Sequence, residues 1–189
     1  MVVSPDVVEE RLAAGGLECR PCGHVLGPWG FARRRRVRGL AEPIRPRRGR
    51  CRECGVTQVL LPATVLVRRA DCVEVIGKAL ELAGGGAGFR ALAVLLGVAP
   101  DTVRGWLRRA RANAAAMIAR AARWSGWLDP SAVLGRGPAT VLGALVDAVG
   151  HLGAAAVRRG GTGLRATSPW ALVAVITDGG LLAVRLEPG

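Results

Sequence analysis

Several residue types and motifs are scarce or absent in this 189-residue chain, and two of these absences argue against enzymatic function. Tyrosine is absent, aromatic residues make up 4% of the chain, and Lys78 is the single lysine among 27 basic residues. The two histidines, His24 and His151, are the available neutral-pH bases, and neither lies in a recognisable nucleophile motif. The phosphate-binding motif G-x-x-x-x-G-K-[ST] does not occur. We therefore expect a protein that is not an enzyme and has no small-molecule substrate.

Targeting signals are also missing from the sequence. The first 18 residues carry four acids and one base, whereas a secretory signal begins with positive charge followed by an apolar run. The most apolar later stretch, residues 137–157, contains Asp147 and His151, and a charge near a bilayer centre is costly. The sequence therefore predicts a cytoplasmic protein with no membrane partner.

Positive charge is the strongest bias, with a formal net charge of +13. Residues 19–69 carry 13 basic and two acidic residues, residues 73–127 carry eight and three, and residues 128–189 carry five and four. The Arg, Ala and Gly bias is typical of a GC-rich genome, so part of the arginine count reflects codon usage. Concentration of the charge in two consecutive segments nevertheless favours a polyanionic partner.

Four of the five cysteines form two matched C-x-x-C pairs, each followed by glycine: Cys19, Cys22, Cys51 and Cys54. In a reducing cytoplasm such pairs are more typical of metal ligands than of disulfides, and glycine permits the positive φ of a tight metal-binding turn. Four thiolates close a tetrahedral site and leave no position for water. The sequence therefore predicts a zinc ribbon with a structural Zn²⁺. His24 and Cys72 lie outside the pair spacing, and we expect a surface histidine and a small buried thiol.

Between the pairs, the sequence predicts a strand over residues 29–38 with Trp29, Phe31 and Val37 on one face. Four consecutive arginines lie within this segment: Arg33, Arg34, Arg35 and Arg36. Dense guanidinium groups suit contact with phosphates. A solvated arginine-rich face is the alternative.

Three helices follow the second cysteine pair. Asp71 and Glu74 have the spacing of a capping box, which predicts a helix that opens at Asp71 and ends in the glycine run of residues 84–88. A second helix is predicted from Phe89, and Gly97 ends it. Pro100 suits the first position of a third helix. At 100° per residue, the outward arc of this third helix holds Asp101, Thr102, Arg104, Gly105, Arg108, Arg109 and Arg111.

Two helices around a tight glycine turn, the second with an apolar stripe opposite an arginine-dense face, match the helix-turn-helix plan. The second helix of that motif enters the DNA major groove. A helical hairpin with a solvated arginine face is the alternative.

Residues 89–109, in which Leu-Gly forms the turn and Thr-Val begins the next helix, resemble the helix-turn-helix of insertion-sequence transposases and related regulators. The preceding Cys-x-x-Cys-Gly pairs are similar to the zinc ribbon often found ahead of that module. The combination of a zinc ribbon with a helix-turn-helix is similar to that of a group of proteins in high-GC bacteria. The resemblance covers roughly residues 17–127, and implies that four side chains or backbone positions approach the major groove: Thr102, Arg104, Gly105 and Arg108. Ala99 departs from the family, where a capping serine is common.

A full transposase would continue into a catalytic core in which three carboxylates bind two metal ions. The acids after residue 127 are few and scattered: Asp129, Asp147, Asp178 and Glu187. Helices are predicted over residues 139–158 and from Ser168 instead. Their apolar faces fit either the core of this chain or a homodimer, and the sequence leaves both open.

The sequence thus predicts a mainly α chain with a small β zinc ribbon over residues 17–69. A helix-turn-helix, homeodomain-like domain over residues 71–127 and an alanine-rich helical segment over residues 128–189 follow. The leading hypothesis is a non-enzymatic, zinc-stabilised protein that binds double-stranded DNA in the nucleoid, as a transcription regulator or a transposase-derived protein. The alternatives are an accessory or truncated transposase component and a zinc-ribbon adaptor for RNA or protein.

Overall fold

The computed structural model describes residues 2–3, 7–131, 140–160 and 167–183. These residues form four strands and six helices: β1 Val2–Val3, α1 Val8–Ala13, β2 Leu26–Phe31, β3 Arg47–Cys51, β4 Thr57–Pro62, α2 Val73–Gly84, α3 Phe89–Leu96, α4 Pro100–Leu128, α5 Val141–Arg159 and α6 Pro169–Ile176. The described chain is mixed α/β, so the prediction of a mainly helical chain with one small sheet is confirmed in part. The three domain boundaries stay a prediction.

The sheet has the strand order β1-β4-β3-β2, in which β2, β3 and β4 are antiparallel and β1 runs parallel to β4. Helix α1 covers one face, where Val8 and Leu12 pack against Leu26 and Leu60 in a small apolar core. We call residues 7–62, with this core, the sheet module.

A bulge interrupts the first strand of the module. The pairing of β2 with β3 shifts between Pro28 and Phe31, and Gly30 between them has a φ of +75°. Trp29 lies beside Arg50, whereas Phe31 lies beside Arg47. Because Arg47 and Arg50 are three residues apart on the regularly paired β3, they point to opposite faces of the sheet. The bulge therefore directs Trp29 and Phe31 to opposite faces.

The prediction of a strand over residues 29–38 with three apolar residues on one face is wrong. Strand β2 ends at Phe31, and Val37 is buried elsewhere, in a third cluster with Val65 and Cys72. The extra residue at the bulge breaks the period of two on which that prediction depended.

Helices α2 to α6 form the helical body around one large core. The inner faces of α2, α3 and α4 are apolar, since Ile76, Leu80, Leu92, Trp106 and Leu107 are all at most 4% exposed. These positions recur every three or four residues, which places them on the inner face of each helix.

The turns between α2, α3 and α4 follow the glycines, as predicted. Helix α2 ends at Gly84, and α3 ends at Gly97, which is left-handed with a φ of +60°. Pro100 occupies the first turn of α4, and the helix continues through Gly126 to Leu128.

The predicted capping box at Asp71 is wrong. Helix α2 begins at Val73, and its cap residue, Cys72, makes no side-chain capping bond. Asp71 is instead 5% exposed and accepts an ion pair from Arg38 of the sheet module at 3.0 Å. The Asp71 carboxylate, which the local spacing predicts as a cap of α2, therefore pairs with Arg38 from the sheet module instead.

Helices α5 and α6 pack on α2 and α4 of the same chain, which is one of the two alternatives left open above. Thr140 and Ser168 cap them by accepting hydrogen bonds from the amides of Gly143 and Ala171. Among the described residues, α5 alone is long and apolar enough to cross a membrane, and half of that stretch is buried in the core.

Several contacts join the sheet module and the segment that follows it to the helical body. Besides Arg38 and Asp71, Arg20 between the first two cysteines forms an ion pair with Asp178 after α6. The amide of Val67 donates to the carbonyl of Gly179 at 3.0 Å. The first cysteine pair is therefore linked through Arg20 to the turn after α6.

Candidate metal centre and basic surface

The four predicted cysteine ligands converge at one end of the sheet module. Their sulfur atoms all lie within 4.8 Å of one another, and two pairs are 3.5 Å apart, Cys19 with Cys54 and Cys22 with Cys51. Cys19 and Cys51 are buried, whereas Cys22 and Cys54 lie at the surface. This cluster could hold a metal ion.

Both cysteine pairs adopt the same turn. Gly23 and Gly55 have φ values of +73° and +70°, and their amides donate to the carbonyls of Cys19 and Cys51. The positive φ predicted for these glycines is confirmed. A β-carbon at either position would be strained in this conformation.

Backbone amides of the turns also donate to the thiols. The amides of Cys54 and Glu53 lower the pKa of Cys51 to about 7, against the effect of burial. The amide of His24 lowers the pKa of Cys22, but burial and the neighbouring thiols raise it, to about 12. Burial and the Cys54 thiol raise the pKa of Cys19. A divalent cation binds thiolates and displaces their protons.

His24 and Cys72 do not join the cluster. His24 is exposed, with Nδ1 3.1 Å from the carbonyl of Cys22. Cys72 is 1% exposed in the core beneath Gly39. Both residues therefore lie where the sequence predicted them.

The predicted arginine run follows β2 in an extended loop. Arg33, Arg34 and Arg36 are exposed, whereas Arg35 is half-buried, and its Nη1 donates to the carbonyl of Arg69 at 3.5 Å. The loop is held in place through Arg35, and its neighbours project into solvent.

Arg69 connects this loop to α4. Its Nη2 donates to the carbonyl of Leu182 at 2.6 Å. Burial lowers the pKa of Arg69, and the positive charge of Arg109 on α4 lowers it further. Arg35 thus contacts the Arg69 backbone, and Arg109 acts on the Arg69 guanidinium through its charge, so these three residues form a series between the loop after β2 and α4. We call this series, with Arg33, Arg34, Arg36 and Arg108, the arginine track.

The outward arc of α4 is accessible along its first three turns. Asp101, Thr102, Arg104, Arg108 and Arg111 are exposed. Arg104 pairs with Asp101 at 3.0 Å. In the same arc, Gly105 is half-buried beneath Arg109, whose Nη1 donates to the Gly105 carbonyl at 3.2 Å. Arg109 is thus turned back along the helix toward Gly105.

Within the described ranges, no residue of the arginine track forms an ion pair with an acid. Guanidinium groups collected without counter-charge repel one another and create a strongly positive local potential. An anion bound along the track would relieve that repulsion.

Two residues of this region carried no signal in the sequence. Arg69 was one arginine among many, and its position between Arg35 and Arg109 depends on long-range packing. Gln58 on β4 donates from Nε2 to the sulfur of Cys19 at 3.3 Å, and thus supports the thiol cluster from outside the cysteine pairs. No sequence spacing relates either residue to its partners.

Comparison of the chain with protein-family models, curated proteins and solved structures found no match.

Proposed function

We propose that the chain is a non-enzymatic, zinc-stabilised protein that binds double-stranded DNA. In this proposal α4 reads the major groove, and the arginine track contacts phosphates. The observation that carries it is the set of exposed arginines in the loop after β2 and on the outward arc of α4, since the arginine track forms no ion pair with an acid in the described part of the chain.

Zinc is the metal that suits the thiol cluster best. Four thiolates in two short turns are a tetrahedral, soft donor set, and Zn–S bonds of about 2.3 Å place sulfurs roughly 3.8 Å apart. The observed separations of 3.5 to 4.8 Å bracket that spacing. With four protein ligands no position stays open for water, so the ion would be structural. The sheet module would then be a zinc ribbon.

The arrangement of α3 and α4 supports a helix-turn-helix. Gly97 turns the chain, Val98 is buried as the anchor of the turn, and α4 begins at Pro100. Helix α4 has 29 residues, or about 43 Å, and its N-terminal part is exposed on the side away from the core. A helix of this kind can enter the major groove with Thr102, Arg104 and Arg108 at the base edges. The resemblance to transposase-type DNA-binding regions supports the same proposal.

The acids outside these elements support a non-enzymatic role. Asp129 pairs with Arg158, Asp147 with His151, and Asp178 with Arg20. Glu187 lies outside the described residues. Each of these three acids thus lies beside a different basic side chain, which is an arrangement unlike three carboxylates converging on metal ions.

The affinity of the zinc-loaded chain for a random-sequence duplex, measured by fluorescence anisotropy across a salt series, tests the phosphate contacts. We expect log K to fall linearly with log salt concentration, by about 0.9 per phosphate contact. The triple variant R33A/R34A/R36A should reduce this slope by roughly 2–3. Arg159→Ala, which removes an exposed arginine at the end of α5, is the matched control and should leave the slope unchanged. A salt-independent affinity, or a triple variant with the wild-type slope, would contradict the proposal.

A further inference from the structure

The second face of the sheet is exposed and carries an aromatic residue among arginines. Helix α1 covers the face that bears Leu26, Gly49 and Leu60. The opposite face, which we call the outer face, carries the alternate residues of β3 and β4, with Trp29 from β2: Trp29, Arg48, Arg50, Thr57 and Val59. Trp29 and Val59 are 49% and 40% exposed, so this face has an apolar surface that the described chain does not cover.

Trp29 is not part of an apolar core. It belongs to none of the three apolar clusters, although its neighbour across the bulge, Phe31, faces a cleft beside α1. The guanidinium carbon of Arg50 lies 4.5 Å from the Trp29 ring centroid. The half-exposed indole is therefore held by an arginine on one side while much of its surface stays open to solvent.

A groove of about 390 Å³ runs beside the indole, and its walls include Gly27, Trp29, Arg50 and Arg52. This volume is within the range of small-ligand sites. Arg48, Arg50 and Arg52 form no ion pair within the described part of the chain. An open aromatic ring beside uncompensated guanidiniums suits a ligand that has both a flat ring and negative charge.

We propose that the outer face binds an unpaired nucleotide, with the base stacked on Trp29 and the phosphates held by Arg48, Arg50 and Arg52. This inference rests on the proposed function in one respect, that the ligand is a nucleic acid. Bases within a duplex are already stacked and cannot lie on an indole, so the ligand here is a single strand, a frayed end or a flipped base. The ligand chemistry is a nucleobase with a phosphodiester, which single-stranded DNA and RNA share.

The test compares the full-length, zinc-loaded chain with its Trp29→Ala variant. Anisotropy gives their affinities for a labelled single-stranded DNA oligonucleotide, the RNA of the same sequence, and the DNA duplex. We expect the substitution to weaken single-strand binding about 5- to 150-fold, the range of one lost base stack. Duplex affinity should change less than about twofold, and Trp29→Phe should retain most of the single-strand affinity. The DNA and RNA arms show which strand is preferred.

An abasic oligonucleotide of the same length separates stacking from a general charge effect. If Trp29 stacks on a base, wild type and Trp29→Ala bind this strand equally. Trp127→Ala is the matched control, because Trp127 is 63% exposed and also lies beside an arginine, Arg159, at 5.6 Å. It should leave all affinities unchanged.

Three results would overturn the inference: no binding of single strands, equal losses for duplex and single strand, or the same loss on the abasic strand. Duplex binding in the salt series reports on the proposed function independently. Failure of one proposal therefore leaves the other measurable.

Discussion

Gly77 on α2 lies directly against the indole of Trp170 from α6. A β-carbon at this position would lie 2.4 Å from Trp170 Cδ1, much closer than van der Waals contact. Trp170 is 3% exposed, and its Nε1 donates to Glu81 Oε1 at 2.8 Å, so the ring cannot withdraw without losing a hydrogen bond. The contact fixes α6 on α2.

We therefore expect Gly77→Ala to lower the free energy of unfolding by about 1–2 kcal/mol, because overpacking outweighs the roughly 1 kcal/mol gained in helix propensity. Urea unfolding followed by circular dichroism measures the change. Gly126→Ala in α4 is the control, since a β-carbon there meets nothing within 4 Å and should stabilise slightly. Equal effects of the two substitutions would show that Trp170 does not pack on Gly77 as described.

Single residues with local chemistry were predictable, and residues with distant partners were not. The cysteines and the glycines that follow them depend on spacing within four residues, and the structure confirms that they converge. The capping-box prediction at Asp71 failed because Arg38, which is distant in the sequence, pairs with the Asp71 carboxylate. A local motif cannot reveal such a competitor.

At the level of elements, the strands and the helices depend on different cores. The core of the sheet module has seven buried residues, and two of them, Cys19 and Cys51, are candidate metal ligands. The helical body has its own, much larger core without a cysteine among its described members. Metal removal should therefore affect the strands first.

We expect chelation with EDTA to expose the amides of β2, β3 and β4 to hydrogen exchange while the amides of α4 and α5 keep their protection. Hydrogen exchange read by mass spectrometry measures both sets in one sample. Zn²⁺ should restore the strands, and Mg²⁺ at equal concentration should not, because it prefers oxygen ligands. Loss of protection in α4 together with the strands, or strands that stay protected, would contradict this separation.

Helices were predicted more accurately than strands, for a physical reason. A stripe such as Val103, Trp106 and Ala110 repeats over several turns, so one irregular residue does not hide it. The strand prediction failed because β2 ends at Phe31 and because the bulge at Gly30 breaks the alternation of side chains before that end. The link from Arg35 through Arg69 to Arg109 is tertiary and left no trace in the sequence.

At the scale of the whole molecule, charged residues connect the sheet module with the helical body. The sheet module and α4 contribute the arginine track, and contacts such as Arg38 with Asp71 and Arg20 with Asp178 hold these parts together. Helices α5 and α6 bury their apolar faces in the core of the helical body, and they pack there against the inner face of α4. A homodimer through the remaining faces of these helices stays a prediction.

The most direct test of the central claim is selection of binding sites from a random pool of duplex DNA by the zinc-loaded chain. We expect enrichment of a common short sequence, with affinity at least about 10³-fold above that for random duplex. The double variant R104A/R108A should lose this preference, at about 1–3 kcal/mol for each base contact, while random-duplex binding persists. Arg159→Ala should enrich the same sequence as the wild type. A pool that stays random with the wild-type chain, or an unchanged preference in R104A/R108A, would contradict the assignment of α4 as the helix that reads DNA.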